Sequence, residues 1–344
     1  SLAGLFTMSV SSVGKITAKV TAHKASYSFS GASWAKVVSG SAYCVALRTS
    51  KGETWDVTVN AADGTLTGVL TNGAFGVAGV EVAGRRNAFL NAADATAQAE
   101  LARYKGYYTV ALPVLTCNSD GLVENGQGGC GYVAMTVKAK GVVALAGKLA
   151  EGTSFSASTT LLTDDNGGYV PAFVPLYTKR GVVSGLLKIS TGVSEPASNR
   201  VELCDDEVAL RWRYPGKTAT ATEDRFDVTA TAVGAYYNSL ASLQAHYADA
   251  ALTADAQTWD VPLAFKPTGA VYLASGTNNP ANATLSVVSK TGLFSGSFKV
   301  GTTSLKYYGI LTWDGAADIG LGAYVTPQTF APYTAKPSFE VTIE

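Results

Sequence analysis

The chain has 344 residues, of which 47% are apolar and only 15% charged, and its 26 basic residues balance 26 acidic ones. High apolar content with zero net charge excludes a disordered chain, and the missing basic footprint argues against nucleic-acid binding. No uninterrupted apolar run approaches the roughly 18 residues of a membrane-spanning helix, and the length suits two or three domains with real cores.

Ser1 opens directly into a strand-like segment, with no secretory leader before it, an opening expected of a processed boundary. Gly4 to Val20 reads GLFTMSVSSVGKITAKV. From Lys15 to Ala22, the side chains of Ile16, Ala18, Val20 and Ala22 share one face, and Lys15, Lys19 and two threonines share the other. That alternation predicts a strand buried on one side and wet on the other. The same pattern returns as GYVAMTVKAKGVVALAG from Gly131 to Gly147, where Met135 stands in the place of Met8, and the chain has no other methionine. An SFS string at Ser28 to Ser30 and again at Ser154 to Ser156 extends the match, with the offset shortened by one residue. A looser third copy, TLSVVSKTGLFSGSF, spans Thr284 to Phe298 and puts Gly292 where Gly14 and Gly141 stand. One β-rich unit is therefore reused.

A shorter motif opens many strands: glycine, any residue, an apolar residue, Ser or Thr, then a small residue. It occurs at Gly14, Gly64, Gly181 and Gly292, and in degraded form at Gly141. Its glycine suits the positive φ of a tight hairpin, and its small mid-strand residue suits a close neighbour. Turn strings such as AADG at Ala61 and DNGG at Asp165 punctuate the pattern, and Thr-Trp-Asp-Val recurs at Thr54 and Thr258. Roughly twenty short strands at regular spacing predict antiparallel meanders. Helix is scarce. Asn91 to Arg103 is alanine-rich, with Asn91 as its expected N-cap and Gly106 beyond its end, and a second candidate lies between Tyr236 and Ala251.

The expected fold is all-β, with antiparallel meanders forming two barrel- or sandwich-like domains and one or two short helices. Residues 1–103 form an N-terminal β domain ending in the short helix, and residues 104–344 form a C-terminal β domain holding the second and third copies.

Cys117 and Cys130 flank NSDGLVENGQGG. A disulfide there closes a loop of about 14 residues, worth roughly 3 kcal/mol, and leaves Cys44 to pair with Cys204. Four cysteines allow three pairings, and the competing reading is free buried thiols. Bridged cysteines imply an oxidising compartment.

No catalytic signature is present. His23 and His246 are the only histidines, and GxSxG, HExxH and P-loop motifs are missing. The acidic run Asp205, Asp206 and Glu207 reads as a solvated turn. Asn118, Asp120 and Glu124, like Asp164, Asp165 and Asn166, offer oxygen ligands, but these are also the residues that turns select. No metal, cofactor or catalytic residue is assigned.

Three Tyr-Tyr pairs, Tyr107-Tyr108, Tyr236-Tyr237 and Tyr307-Tyr308, each send one ring away from the core if they lie on strands. Arg211-Trp212-Arg213-Tyr214 separates two rings from two arginines in the same way. Outward rings with polar tips suit a glycan or protein surface, so Trp212, Tyr214, Tyr237 and Tyr308 are the candidate ligand-binding residues. The competing reading is a barrel wall covered by a second domain, which buries both faces. An outer-membrane β-barrel also fits the alternation, but Lys15 and Lys19 lie where lipid would be, and VTIE ends the chain without an aromatic.

The stretch from Gly131 to Ser190, with TDDNGGYVPAFVPLYTKRGVVSGLLKIS at its end, resembles the β-rich segment of long extracellular proteins of verrucomicrobial and related bacteria. YKGYYTVALP, from Tyr104 to Pro113, is similar to its lead-in. TGLFSGSF, from Thr291, and the residues from Tyr307 to Pro327 are similar to its closing strands. The resemblance implies a secreted or bacterial cell-surface module and brings no catalytic residue. The expected function is a non-catalytic structural or adhesive part of a larger surface assembly, contacting protein or glycan or a further copy of itself. The alternative is a carbohydrate-binding module that uses the four rings.

Overall fold

The computed structural model describes residues 4–22, 26–31, 35–36, 42–48, 54–60, 62, 64–71, 80–114, 128–203, 210–215, 225–238, 250–255, 257–266, 270–313, 318–327 and 337–344. The fold is all-β, every sheet pairs antiparallel, and the described residues hold one α-helix. The chain divides after Ala88 into two compact units, Leu2–Ala88 and Phe89–Glu344. The helix therefore belongs to the second unit, and the division falls ahead of it, where the sequence reading set it behind, at residue 103.

The first unit is an open meander. It contains β1 (Gly4–Val10), β2 (Ile16–Ala22), β3 (Ser26–Gly31), β4 (Ala35–Lys36), β5 (Ala42–Arg48), β6 (Thr54–Asn60), β7 (Thr65–Thr71) and β8 (Val80–Arg85). These run in sequence order from β1 to β8, with β4 set beside β5 off the main path. The period-two reading of the second strand holds: Ile16, Ala18 and Val20 are buried, and Thr17 and Lys19 are exposed. Phe29, Leu47 and Leu66 complete this core.

In the second unit, α1 (Ala95–Tyr104) lays Ala97, Leu101 and Tyr104 on a barrel core beside Phe89. Its N-cap is Asp94, whose Oδ1 accepts from the Ala97 amide at 3.0 Å. Asn91, the expected cap, lies a turn too early and accepts from the Ala93 amide.

The barrel under α1 contains β9 (Gly106–Leu112), β10 (Gly131–Val137), β11 (Val142–Lys148), β12 (Ser154–Thr160), β13 (Leu162–Asp164), β14 (Gly167–Leu176), β15 (Gly181–Ser190), β16 (Arg200–Leu203) and β19 (Val233–Tyr236). Their order is β12-β11-β10-β9-β19-β16-β15-β14-β13, and β12 returns against β14, so the barrel nearly closes. β17 (Leu210–Pro215) also pairs with β15 and carries β18 (Arg225–Ala230) as a branch of the same sheet. Tyr236 ends a strand, so the second candidate helix does not start there, and residues 239–249 lie outside the described residues.

The third sheet holds β20 (Ala251–Ala254), β21 (Asp260–Phe265), β22 (Val271–Leu273), β23 (Thr284–Val288), β24 (Leu293–Val300), β25 (Thr303–Trp313), β26 (Asp318–Val325) and β27 (Ser338–Ile343). Its order is β22-β21-β20-β27-β26-β25-β24-β23. Phe294, Phe298, Tyr307, Leu311 and Tyr324 fill its core. The small residue of the strand motif has a physical cause here. A Cβ on Gly296 would lie 1.8 Å from the Thr284 carbonyl and 2.4 Å from the Tyr307 hydroxyl.

The two copies of the string form hairpins that share one register. Leu5↔Thr21 through Val10↔Ile16 becomes Tyr132↔Lys148 through Val137↔Val143, every residue shifted by 127. Gly14, Gly141 and Gly292 all take positive φ, at 77°, 70° and 67°. The third strand of the copy is a correction. Val20↔Tyr27 corresponds to Gly147↔Phe155, so β3 aligns with β12 at an offset of 128, and the two SFS strings are two residues out of step. A slip of two leaves every side chain on its own face, which is why the string match was misleading.

Both expected disulfides are also corrected. Cys44 and Cys130 are free thiols, while Cys117 and Cys204 lie outside the described residues. Cys130 is buried with Ala111, Ile310 and Leu321, and its thiol donates to the Gly131 carbonyl at 3.2 Å, the behaviour of a small hydrophobe. Cys44 sits 3.2 Å from the Thr58 hydroxyl on the neighbouring strand. The argument for an oxidising compartment falls with the bridges.

Candidate functional site

Within the second unit the outer wall of the barrel meets the third sheet. The Thr312 hydroxyl donates to the Thr109 carbonyl at 2.8 Å, and the Cys130 amide donates to the Gly322 carbonyl at 3.1 Å. Tyrosines from both sides tie this contact. Tyr107 and Tyr237 pack edge to face, with centroids 6.0 Å apart, and donate to the carbonyls of Thr291 and Ser289 at 3.0 and 2.7 Å. Burial pushes both phenols up to about 12. Tyr308 reaches the opposite way and donates to the carbonyls of Leu149 and Ala150, both at 2.8 Å.

Those two carbonyls belong to the turn between β11 and β12, and the next residue is Glu151. Its Oε1 accepts from the Tyr177 hydroxyl at 2.5 Å, and Tyr177 in turn accepts from Trp212 Nε1 at 3.0 Å. Glu151 Oε2 is buried with no hydrogen-bond partner. Burial pushes this carboxyl up, against hydrogen bonds from Thr153 and Tyr177 that favour its charged form. The Lys148 ammonium lies 3.7 Å from the Tyr308 ring centroid, and desolvation lowers its pKa although Glu151 raises it. The Tyr214 ring meets Tyr177 edge-on at 4.8 Å.

The backbone that presents Tyr177 is strained. Tyr177, Thr178 and Lys179 have φ of 51°, 57° and 64°, three successive side-chain-bearing residues in the left-handed region. Each costs about 1 kcal/mol or more. The motif glycine that follows, Gly181, is not among the positive-φ glycines. At this copy the turn has moved onto residues that carry side chains, and one of them aims its hydroxyl at Glu151.

Of the four ring residues singled out in the sequence, Trp212, Tyr214 and Tyr308 come together here, in one cluster with Tyr177, Leu149 and Ala150. Tyr237 lies apart, against the third sheet's core. The expected exposure is corrected at Trp212, while Tyr214, Tyr237 and Tyr308 are half-buried. Trp212 is 3% exposed, and the arginines beside it face outward, Arg211 pairing with Asp227. The alternation in RWRY was read correctly, but its aromatic side is the covered one. Asp164 Oδ1 accepts from the Asn166 amide, as an ordinary Asx turn. His23, His246, Asn118, Asp120, Glu124 and the Asp205–Glu207 run lie outside the described residues. Glu151 was missed because nothing in AEGTS marks it; its character comes from Tyr177 and Trp212, 26 and 61 positions away.

No helix among the described residues is long and apolar enough to cross a membrane. Ser154, Ser156 and Ser158 face outward on β12, where a lipid-facing barrel wall needs apolar side chains.

No family model and no curated protein matches the chain. Among solved structures it is similar to the crystal structure of endo-1,5-α-L-arabinanase from Thermotoga petrophila RKU-1. The identity is 10% and the TM-score 0.23, over 98% of this chain and 82% of that one. That protein is an enzyme, whereas the expectation here was a non-catalytic structural or adhesive module. A TM-score of 0.23 brings neither the arabinanase's fold nor its activity to this chain.

Proposed function

We propose that this chain is a secreted or bacterial cell-surface protein that engages a neutral glycan, with Glu151 as its polar centre. One observation carries the reading: a buried carboxyl that accepts from Tyr177, whose ring packs in one cluster with Trp212, Tyr214 and Tyr308. A carboxyl raised by burial stays protonated nearer to neutral pH, where it donates to a hydroxyl or ether oxygen. Balanced charge fits a neutral ligand better than a polyanion. The resemblance of Gly131 to Ser190 to segments of extracellular proteins supports the location. The reading is recognition and proton donation at Glu151.

A panel of neutral oligosaccharides offered to the folded protein tests this, with Tyr177→Phe and Glu151→Ala alongside. A saccharide that binds the parent, and binds Glu151→Ala at least about tenfold more weakly at unchanged fold, supports the reading. A blank panel, or binding indifferent to Glu151, overturns it.

A further inference from the structure

One line of the barrel wall has no hydrogen-bond ladder. β12 lies alongside β14, and every residue of both strands is described, yet the two do not pair. The sequence of β14, GGYVPAFVPL, supplies the cause. Asp164 and Gly167 close a two-residue turn, so the odd-numbered residues of β14 direct their backbone groups toward β13 and then toward β12. Past Tyr169, where the pairing with β13 ends, those residues are Pro171, Phe173 and Pro175. Proline has no amide to donate, so two of the three donors that would join β14 to β12 are missing. On the facing strand, the Leu149 amide donates to the Thr153 carbonyl, which commits the odd residues of β12 to β11. Ser154, Ser156, Ser158 and Thr160 are left facing the seam.

The seam is held at its two ends. At one end β13 ladders with β14. At the other, Tyr177, the residue after β14, donates its hydroxyl to Glu151 in the β11–β12 turn at 2.5 Å, and Trp212 Nε1 donates to that hydroxyl at 3.0 Å. Between the ends only side chains meet: Phe155 and Ala157 of β12 pack on the cores that hold Ala172 and Val174 of β14. A small apolar cavity lies behind the Tyr177 end, lined by Leu149, Ala150, Val183 and Trp212 among others. The left-handed backbone of Tyr177 to Lys179 persists only where its surroundings fix it, and the two hydrogen bonds of the Tyr177 hydroxyl do so.

We propose that the β12–β14 seam is a lateral gate of the barrel, and that the hydrogen bond between Tyr177 and Glu151 is its latch. With the latch made, the two strands lie together and the core behind them is dry. With it broken, the strands part from the Tyr177 end, because no ladder has to be undone along the seam, and the apolar cavity is reached from the side. The opening needs no saccharide, so it stands whether or not Glu151 receives one.

The test uses the full chain carrying Ala172→Cys, a position 6% exposed on β14, and follows alkylation by iodoacetamide with peptide mass spectrometry. Native Cys130, 1% exposed and next to β10, is the internal standard for general loosening. Added to this chain, Tyr177→Phe should speed alkylation at position 172 by about tenfold or more, the worth of one buried hydrogen bond, and leave Cys130 unchanged. Glu151→Gln keeps a side-chain oxygen that accepts from Tyr177, and should stay within about threefold of the parent. Pro171→Ala combined with Pro175→Ala restores two donors in the native alanine background, and both new amides should exchange slowly as the seam gains a ladder. The proposal is overturned if Tyr177→Phe leaves the rate at position 172 unchanged, or speeds position 172 and Cys130 alike. Fast exchange of both new amides in the folded proline variant also overturns it.

Discussion

Replacing Tyr308 by Phe removes one hydroxyl and keeps the ring beneath Lys148. That hydroxyl donates to two carbonyls, Leu149 and Ala150, each at 2.8 Å, and both residues are at least 97% buried. A buried acceptor stripped of its donor costs about 1–3 kcal/mol, and the two carbonyls share one donor, so the expected loss is about 2–4 kcal/mol. Tyr107→Phe and Tyr237→Phe strip one carbonyl each, those of Thr291 and Ser289, and each should cost about 1–2 kcal/mol. Urea unfolding followed through the exchange of amides in β10 and β26 reads the second unit without contribution from the first. The reasoning is refuted if Tyr308→Phe is neutral, or if it costs less than Tyr237→Phe.

The repeat makes a paired prediction: Met135→Ala, at a fully buried site, should cost about 2–5 kcal/mol, and Met8→Ala under about 1.5 kcal/mol, in chemical denaturation of each unit. Gly296→Ala should cost about 3 kcal/mol or prevent folding of the third sheet, because its Cβ has no room beside Thr284 and Tyr307, and a wild-type melting temperature would contradict this. Burial, with Asp255 and Glu344 nearby, raises the Glu340 carboxyl to about 7. The folded state therefore holds its proton more tightly than the unfolded chain. The stability this confers is complete below the ordinary carboxylate range and lost as pH rises through about 7. Glu340→Gln should remove roughly 1–2 kcal/mol of that slope between pH 4.5 and 7, after allowance for partial exposure. An unchanged slope would show that Glu340 titrates normally.

Much of the fold could be read from the sequence because period-two patterning is local. Ile16, Ala18 and Val20 declare their strand within seven residues, and the repeat of Met8 at Met135 is reproduced pair by pair in the register. Placement on a face was also readable: Trp212 and Tyr214 do oppose Arg211 and Arg213. Which face meets water was not, because that depends on a second layer. The branch strands β17 and β18, together with the third sheet, bring Trp212, Tyr214 and Tyr308 into one cluster from positions nearly a hundred residues apart. The site was hidden for the same reason. A glutamate in AEGTS looks like any turn residue until the Tyr177 hydroxyl and its strained backbone are set against it. The disulfide reading failed because even cysteine number and loop spacing carry no information on burial, and Cys130 is held as a packed thiol.

The most direct test of the account is calorimetric titration of the best-binding neutral oligosaccharide into the wild type and Glu151→Gln across the acid-to-neutral range. Wild-type affinity should fall as pH rises through the raised Glu151 ionisation, while the Gln variant, a donor at every pH, should bind with no such dependence. Equal pH profiles for the two proteins, or no saccharide bound by either while both remain folded, would contradict the assignment of Glu151 as the polar centre of a glycan site.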